Sequence, residues 1–469
     1  MQIRRWLSYF VLLSLWAACL SCGQNYRLPI IQIPGDPGDP KLYHFAMTIS
    51  TTDPTINANV PGSVMQIDVA GDMDVGEALV GRGPIYATLL PTGAANRIYV
   101  ANALEDTVTT TTAAPLSCSP GPVCPIGTVS TITMPTGAAP SYLNSTETSN
   151  MYVILQNPNR GPLPEPQTPT IGIISVFSPG LGPEIVLPAG NPVAMVELPN
   201  GHKLYVADQT NSVVYVVDTV SKQITQTLAV GPSPSMALAS ADNSAVYVMT
   251  SAGVSVIDAF TDTVIGNLAT PGQPNSMAYD SKLIRLYVTD LGGGVSVFDT
   301  AKAGGNLPAL LTVVSLPTDH LGRGPIGVAP LPNGKFFYVL SIDPDHAKKP
   351  LGTSLTLTAV DSTTLTVVVP TSTGPPNPYP LDPLNPPPAP NTPPVPAAVV
   401  PYCAPARFRY MVGASADSGR IYVSSCDAGG TYIFQTSDDT GVLMLPSPGQ
   451  PPFTGTIIPQ NPVFLITGR

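Results

Sequence analysis

Charged side chains are scarce in this chain of 469 residues: Lys, Arg, Asp and Glu together account for 11% of it. Residues that interrupt helices are abundant by contrast, with 56 prolines and 41 glycines. This composition is typical of many short strands joined by turns and argues against long helical bundles. The formal net charge of -10 repels phosphate backbones, so we expect no nucleic-acid partner.

Catalytic and metal-binding motifs are lacking as well. The sequence has no Cys-x-x-Cys-His haem motif, no Walker loop, no Gly-x-Ser-x-Gly nucleophile motif and only four histidines. Residues 343–346 (Asp-Pro-Asp-His) cluster groups that can bind metals, but without the spacing of a calcium loop, and we expect a turn there. These absences predict no cofactor and no metal, and they favour a non-catalytic protein.

The apolar run 6–20 is too short and wrongly flanked to span a membrane. It follows Arg4-Arg5 and precedes Ser21-Cys22-Gly23, an order typical of a cleaved export signal. The segment resembles a bacterial lipoprotein signal, which implies that Cys22 is diacylated and becomes the mature N-terminus. Residues 19–20 depart from that pattern, so acylation at Cys19 and an ordinary secretory leader remain alternatives.

Cysteine parity favours Cys22. If Cys22 is acylated, an even set of four cysteines remains, which suits two disulfides in an oxidising compartment, whereas acylation of Cys19 leaves an odd thiol. We therefore expect a leader over 1–22, a proline-rich tether over 23–41, and a lipid-anchored monomer outside the cytoplasm, at the outer membrane or surface of a bacterial envelope. The expected disulfides join Cys118 to Cys124 and Cys403 to Cys426.

A tripeptide of the form aliphatic-Tyr-Val recurs along the chain, with Phe in the first position once. Neighbouring copies are separated by roughly 40 residues or more, which indicates a repeat array with insertions of variable length. The seven tyrosines that mark the copies are Tyr99, Tyr152, Tyr205, Tyr247, Tyr287, Tyr338 and Tyr422.

One repeat, over 232–269, can be interpreted strand by strand. Strands are predicted over 236–239, 245–249, 254–258 and 263–268, with turn residues between them, so the repeat forms an antiparallel four-stranded meander. Such a meander is a propeller blade, and a ring of blades is needed to bury both of its faces.

The segments 204–234 and 287–299 resemble the YVTN-type propeller repeat. This resemblance implies an all-β fold, a β-propeller over 42–469 with a proline-rich insertion at 370–402. Seven tyrosine-marked blades and three earlier strands predict eight blades, because Asn461–Ile466 echoes Asn191–Val196 and supplies the missing innermost strand of the first blade. Seven blades, the commoner number in the family, is the alternative.

The repeat phase places four of five long insertions (51–62, 157–169, 341–354 and 370–402) on one face, and only 113–127 on the other. Because loops carry binding more often than scaffolds do, this face is the predicted interaction face. Neutral drift of tolerated insertions is the alternative explanation.

The pentapeptide Gly-Arg-Gly-Pro-Ile occurs twice, and it predicts that Arg82 and Arg323 lie beside the channel on that face. They would bind a carboxylate or phosphate, with His320 nearby, unless they only pair with acidic neighbours. Our leading hypothesis is a binding or scaffolding protein that uses this face for a protein or glycan partner. The alternative is a lactonase-like hydrolase that acts on an anionic substrate with these arginines and an acid, Asp208 or Asp290.

Overall fold

The computed structural model describes residues 45–51, 60–68, 73–92, 95–112, 124–125, 129–146, 149–161, 168–301, 306–316, 324–342, 355–369, 379–380, 409–426, 430–437, 440–445 and 461–467. Within them, 34 strands form eight sheets, each built on four antiparallel strands. No helix in this part of the chain has the length and hydropathy needed to span a bilayer.

The sheets follow one another along the chain as blades 1 to 4. Blade 1 contains β1 (Phe45–Thr51), β2 (Ser63–Asp68) and β3 (Met73–Leu79). Blade 2 contains β4 (Pro84–Thr92), β5 (Ala95–Asn102), β6 (Thr107–Thr112) and β8 (Ser130–Thr133), while β7 (Cys124–Pro125) pairs in parallel with β3. Blade 3 contains β9 (Pro140–Asn144), β10 (Asn150–Leu155), β11 (Thr170–Ser175) and β12 (Leu181–Val186). Blade 4 contains β13 (Pro192–Glu197), β14 (Lys203–Asp208), β15 (Val213–Asp218) and β16 (Gln223–Ala229).

Blades 5 to 8 repeat the same order. Blade 5 contains β17 (Met236–Ala239), β18 (Ala245–Thr250), β19 (Gly253–Asp258) and β20 (Thr263–Leu268). Blade 6 contains β21 (Pro274–Asp280), β22 (Arg285–Asp290), β23 (Gly294–Asp299) and β24 (Ala309–Ser315). Blade 7 contains β25 (Gly324–Pro330), β26 (Phe336–Ile342), β27 (Leu355–Asp361), β28 (Thr366–Val367) and, also paired with β27, β29 (Tyr379–Pro380). Blade 8 contains β30 (Tyr410–Ala414), β31 (Arg420–Ser425), β32 (Gly430–Gln435) and β33 (Thr440–Leu445), and the last strand is β34 (Asn461–Thr467).

The final strand closes the ring. β34 pairs with β1 and becomes the innermost strand of blade 1, and it also contacts the innermost strands of blades 2 and 8. Contacts between innermost strands continue around all eight blades and return to β34, so the molecule is an eight-bladed β-propeller. The predicted fold class, blade count and closing strand are confirmed.

The seven repeat tyrosines form the core between blades. Each lies in the second strand of its blade and is at most 1% exposed, within apolar clusters that join adjacent sheets. A tyrosine fits this position because its ring fills the wide space between two twisted sheets while its hydroxyl reaches the outer part of the blade interface. The tripeptide therefore marks an interface between blades, which explains its recurrence.

Polar contacts also join consecutive blades. The Tyr205 hydroxyl of blade 4 donates a 2.6 Å hydrogen bond to Asp262 in blade 5, and Lys203 Nζ bonds the same carboxylate at 2.8 Å. In blade 2, Arg97 donates to the carbonyl of Val176 in blade 3 at 2.6 Å. These bonds fix neighbouring blades to each other at the outer part of the ring.

Two faces follow from the strand directions. The innermost strands begin at what we call the mouth face, where each second strand ends, as the pairing of Pro192 with Asp208 shows. They end at what we call the turn face, which carries the links between first and second strands and between third and fourth strands. The strand ends that flank the insertions after Thr51, Leu155 and Ile342 all lie at the mouth face.

Candidate functional site

A proline followed by a bulged residue begins the innermost strand in most blades. The proline has no N–H to donate to the ladder, and the register shifts just after it, so the following residue is turned out of the pairing. Six residues that directly follow a proline, one from each of blades 2 to 7, line the centre of the ring: Ile85, Ser141, Val193, Ser235, Asn275 and Ile326. Five of them lie at a register shift, whereas the pairing of β17 in blade 5, just after Ser235, is regular.

These residues line a central cavity of about 540 Å³ at the mouth face. The ends of second strands complete its wall with Gln156, Gln209 and Met249, and blade 8 contributes Tyr410 to Val412. The volume lies within the range of small-molecule sites, roughly 300–1,000 Å³. The cavity therefore has the size and position of a ligand site at the predicted interaction face.

Amide side chains at the cavity wall join adjacent blades. Gln156 Nε2 of blade 3 donates to the carbonyl oxygen of Pro192 in blade 4 at 2.7 Å and to Ser141 Oγ at 3.0 Å. Asn275 Nδ2 of blade 6 donates to the carbonyl of Pro325 in blade 7 at 2.5 Å, and its Oδ1 accepts from Thr289 at 2.5 Å. These bonds hold the wall in a fixed shape, so a ligand meets a preformed surface.

Methionine forms the apolar part of one wall. Met249 and Met277 are buried in a single cluster between blades 5 and 6, Met236 packs against that cluster, and all three line the cavity. Unbranched thioether side chains adapt to irregular ligand shapes. Among the described residues of the lining, Tyr410 is the only one with an ionisable side chain, so this part of the wall is suited to uncharged groups.

Arg82 lies just before β4 and is partly buried. Its backbone N–H donates to Glu105 Oε2 at 2.7 Å, which places an acidic side chain beside it. Arg82 is not among the described residues that line the cavity. Arg323 and His320, predicted to share its site, lie outside the described residues.

Asp208 ends β14 at the mouth face and is fully buried. One carboxylate oxygen accepts from the N–H groups of Asn191 and Asn211 at 3.1 and 3.0 Å, and the other accepts from the Asn211 side chain at 3.0 Å and from Tyr215 at 3.4 Å. These four hydrogen bonds engage both oxygens of the carboxylate and hold two loops together.

Asp290 holds the matching position in blade 6 and is also fully buried. Its Oδ1 accepts from the N–H of Gly292 at 2.7 Å, while Oδ2 has no hydrogen-bond partner among the described residues. The side chain turns toward Gly272 and Gly292, where an added Cβ would lie 2.7 Å from Oδ1. Neither Asp208 nor Asp290 belongs to the described lining of the cavity.

Two of the expected structural cysteines can be placed. Cys426 directly follows β31, is buried and is disulfide-bonded. Cys403, its expected partner, lies outside the described residues. Cys124 stands beside Gly76 in the parallel pair of β7 and β3. Cys22 and Cys118 also lie outside the described residues. The described part contains no group of three or more His, Cys, Asp or Glu side chains able to hold a metal.

An ion pair fixes the base of one mouth-face insertion. Arg160 lies at the start of the insertion in blade 3, is 7% exposed, and bonds both oxygens of Glu184 on β12. Thr170 donates to the same carboxylate at 2.7 Å. Burial acts to raise the pKa of Glu184, but the bonds from Arg160 and Thr170 outweigh it and hold that pKa below its ordinary value.

Comparison with known proteins adds the fold and nothing finer. No family model and no curated protein matches the sequence. Among solved structures, apo AztD from Citrobacter koseri superposes with a TM-score of 0.55 at 13% identity, over 91% of this chain and 99% of that one. Dihydro-heme d1 dehydrogenase NirN superposes with a TM-score of 0.56 at 14% identity, over 89% and 76%. At such low identity the likeness shows a shared propeller fold alone.

Proposed function

We propose that this protein is a binding or scaffolding protein anchored to the bacterial envelope, and that its mouth face binds a protein or glycan partner. The observation that carries the proposal is the coincidence of two features on one face. The preformed central cavity opens there, and the strands that flank the long insertions end there. A partner would cover the insertions and place an uncharged group, an apolar side chain or a sugar ring, in the cavity.

The resemblance to YVTN-type repeats and to a lipoprotein signal supports the envelope location and the anchor at Cys22. Palmitate labelling tests the anchor: incorporation should be lost in Cys22→Ser and retained in Cys19→Ser. The reverse result would move the lipid to Cys19, and no incorporation in the unmodified protein would indicate an ordinary secretory leader.

Hydrolysis of an anionic substrate is the less favoured function, because Asp208 is engaged in four bonds and Asp290 is fully buried. Turnover of a panel of lactones that disappears when Arg82 and Arg323 are both replaced by alanine would overturn the binding proposal.

Site-specific photocrosslinking in native envelopes tests the binding face. A photoreactive residue at Leu291, exposed at the mouth face, should capture a defined partner, and one at Val220, exposed at the turn face, should not capture that partner. The Ser276→Phe substitution, which fills the cavity, should reduce this capture, whereas Ser437→Phe on the turn face should leave it unchanged. Equal capture from both faces, or full capture by the Ser276→Phe variant, would contradict the proposal.

A further inference from the structure

Three consecutive blades expose a large apolar side chain at the same position of the turn face. Phe177, Val220 and Phe260 lie between the third and fourth strands of blades 3, 4 and 5, and are 82%, 80% and 75% exposed. Single exposed apolar residues are common on soluble proteins, but a repeated position in neighbouring blades forms a row. The corresponding position in blade 6 is Ala301 and in blade 7 Thr363, so the row is confined to one sector among the described turns.

The turns that carry this row are held by hydrogen bonds. Asp258 Oδ1 accepts from the N–H groups of Phe260 and Thr261 at 2.8 and 3.0 Å, and Asp218 Oδ1 accepts from Ser221 N–H at 2.6 Å. The aspartates therefore cap their own turns, while the apolar side chains point into solvent. Because these turns are already rigid, they lose little conformational entropy when a binding surface buries their apolar side chains.

The chain enters the propeller at the same face. β1 is the second strand of blade 1. Its first residue, Phe45, lies at the turn face, beside the end of the innermost strand β34. Residues 23–44 connect this point to Cys22, a distance of at most about 80 Å when fully extended. A lipid at Cys22 would thus be linked to the turn face, while the cavity opens on the opposite face.

We propose that the row formed by Phe177, Val220 and Phe260 contacts the lipid bilayer and holds the turn face against the membrane, so that the mouth face points away from it. This inference rests on the proposed anchor for its membrane, but not on the identity of any partner. The contact is apolar and interfacial, since the net charge of -10 gives no general attraction to anionic headgroups.

Introduced tryptophans can report this contact, because both natural tryptophans, Trp6 and Trp16, lie within the predicted leader. The acylated mature protein is reconstituted in phosphatidylcholine vesicles that contain lipids brominated in the upper acyl chain. Phe177→Trp and Phe260→Trp should each be quenched by about twofold or more, because interfacial side chains sit ~5–10 Å into the headgroup boundary. Leu291→Trp, 59% exposed in the wild type but at the mouth face, is the matched control and should not be quenched.

Flotation separates failure of the anchor from failure of the contact. If the unmodified protein does not float with vesicles, the anchor proposal fails, and the same tryptophan variants are then held on nickel-chelating vesicles by a histidine tag placed before residue 23. If the protein is vesicle-bound and Phe260→Trp and Phe177→Trp are not quenched, the bilayer contact is refuted. Equal quenching at Leu291→Trp would also refute it. The proposal would likewise fail if the row were shielded from solvent in native envelopes but not in lipid vesicles, since a protein would then cover it.

Discussion

Replacing Arg160 by alanine removes the cation from an almost fully buried ion pair at the mouth face. The guanidinium bonds Glu184 at 2.5 and 2.8 Å with side chains that are only 7% and 15% exposed. Breaking a fully buried pair costs ~3–5 kcal/mol, whereas an exposed pair contributes ~0–1 kcal/mol. Because Glu184 keeps some solvent contact and its bond from Thr170, we expect the free energy of unfolding of Arg160→Ala to fall by about 2–3 kcal/mol.

The pH dependence of this loss identifies its cause. The folded-state pKa of Glu184 is lowered, so the pair stabilises the protein fully above the unfolded pKa of a glutamate, and the effect disappears as the pH falls through the folded pKa. Chemical denaturation of wild type and Arg160→Ala at pH 7 and at acidic pH, below about 4, should therefore give a large difference at pH 7 and a smaller one in acid.

Two further variants serve as controls for the Arg160 experiment. Glu184→Gln combined with Arg160→Ala should recover part of the loss, because no uncompensated charge remains. Arg160→Lys keeps the charge without the two-pronged geometry and should fall between wild type and alanine. A change of less than about 0.5 kcal/mol for Arg160→Ala, or one that is equal at both pH values, would refute the reasoning.

Two other predictions follow from buried polar groups, and a third from the cysteines. Burial raises the pKa of Asp280, whose Oδ2 has no hydrogen-bond partner within the described residues. Asp280→Asn should therefore stabilise the protein by about 1 kcal/mol at pH 7 and lose that advantage below about pH 4. Chemical denaturation at both pH values measures the difference. Tyr205→Phe, which deletes a bond to a carboxylate, should cost about 2 kcal/mol, whereas Tyr99→Phe, whose buried hydroxyl bonds no described residue, should cost nothing measurable; equal losses would contradict this. Thiol labelling of the denatured, unreduced mature protein should find no free thiol, and four reactive cysteines would exclude both disulfides.

The ring was predictable because its signals recur. The tyrosine tripeptide fills the same space between blades seven times, and Asn461-Pro462-Val463 repeats the start of β13, so both the blade count and the closing strand could be derived. β7 was not predicted, because a two-residue strand has no periodicity to detect.

The cavity wall was harder to predict, although a signal for it exists. A proline directly precedes six wall residues near the start of the innermost strands, and in five of these blades the register shifts at that residue. The sequence patterns instead favoured the arginines of the repeated pentapeptide, with His320, and acids at strand ends. An aspartate that caps a turn, such as Asp208, has the same local sequence signature as one that faces a channel, and only the hydrogen bonds distinguish the two.

The pairing of β34 with β1 sets the order in which this protein can mature. Of the described strands β1 is synthesised first and β34 last, so the inner edge of blade 1 has no partner until residues 461–467 have emerged. During that interval an exposed strand edge invites pairing with other chains. The growing chain must therefore avoid pairing with neighbouring chains at this edge until β34 has been synthesised.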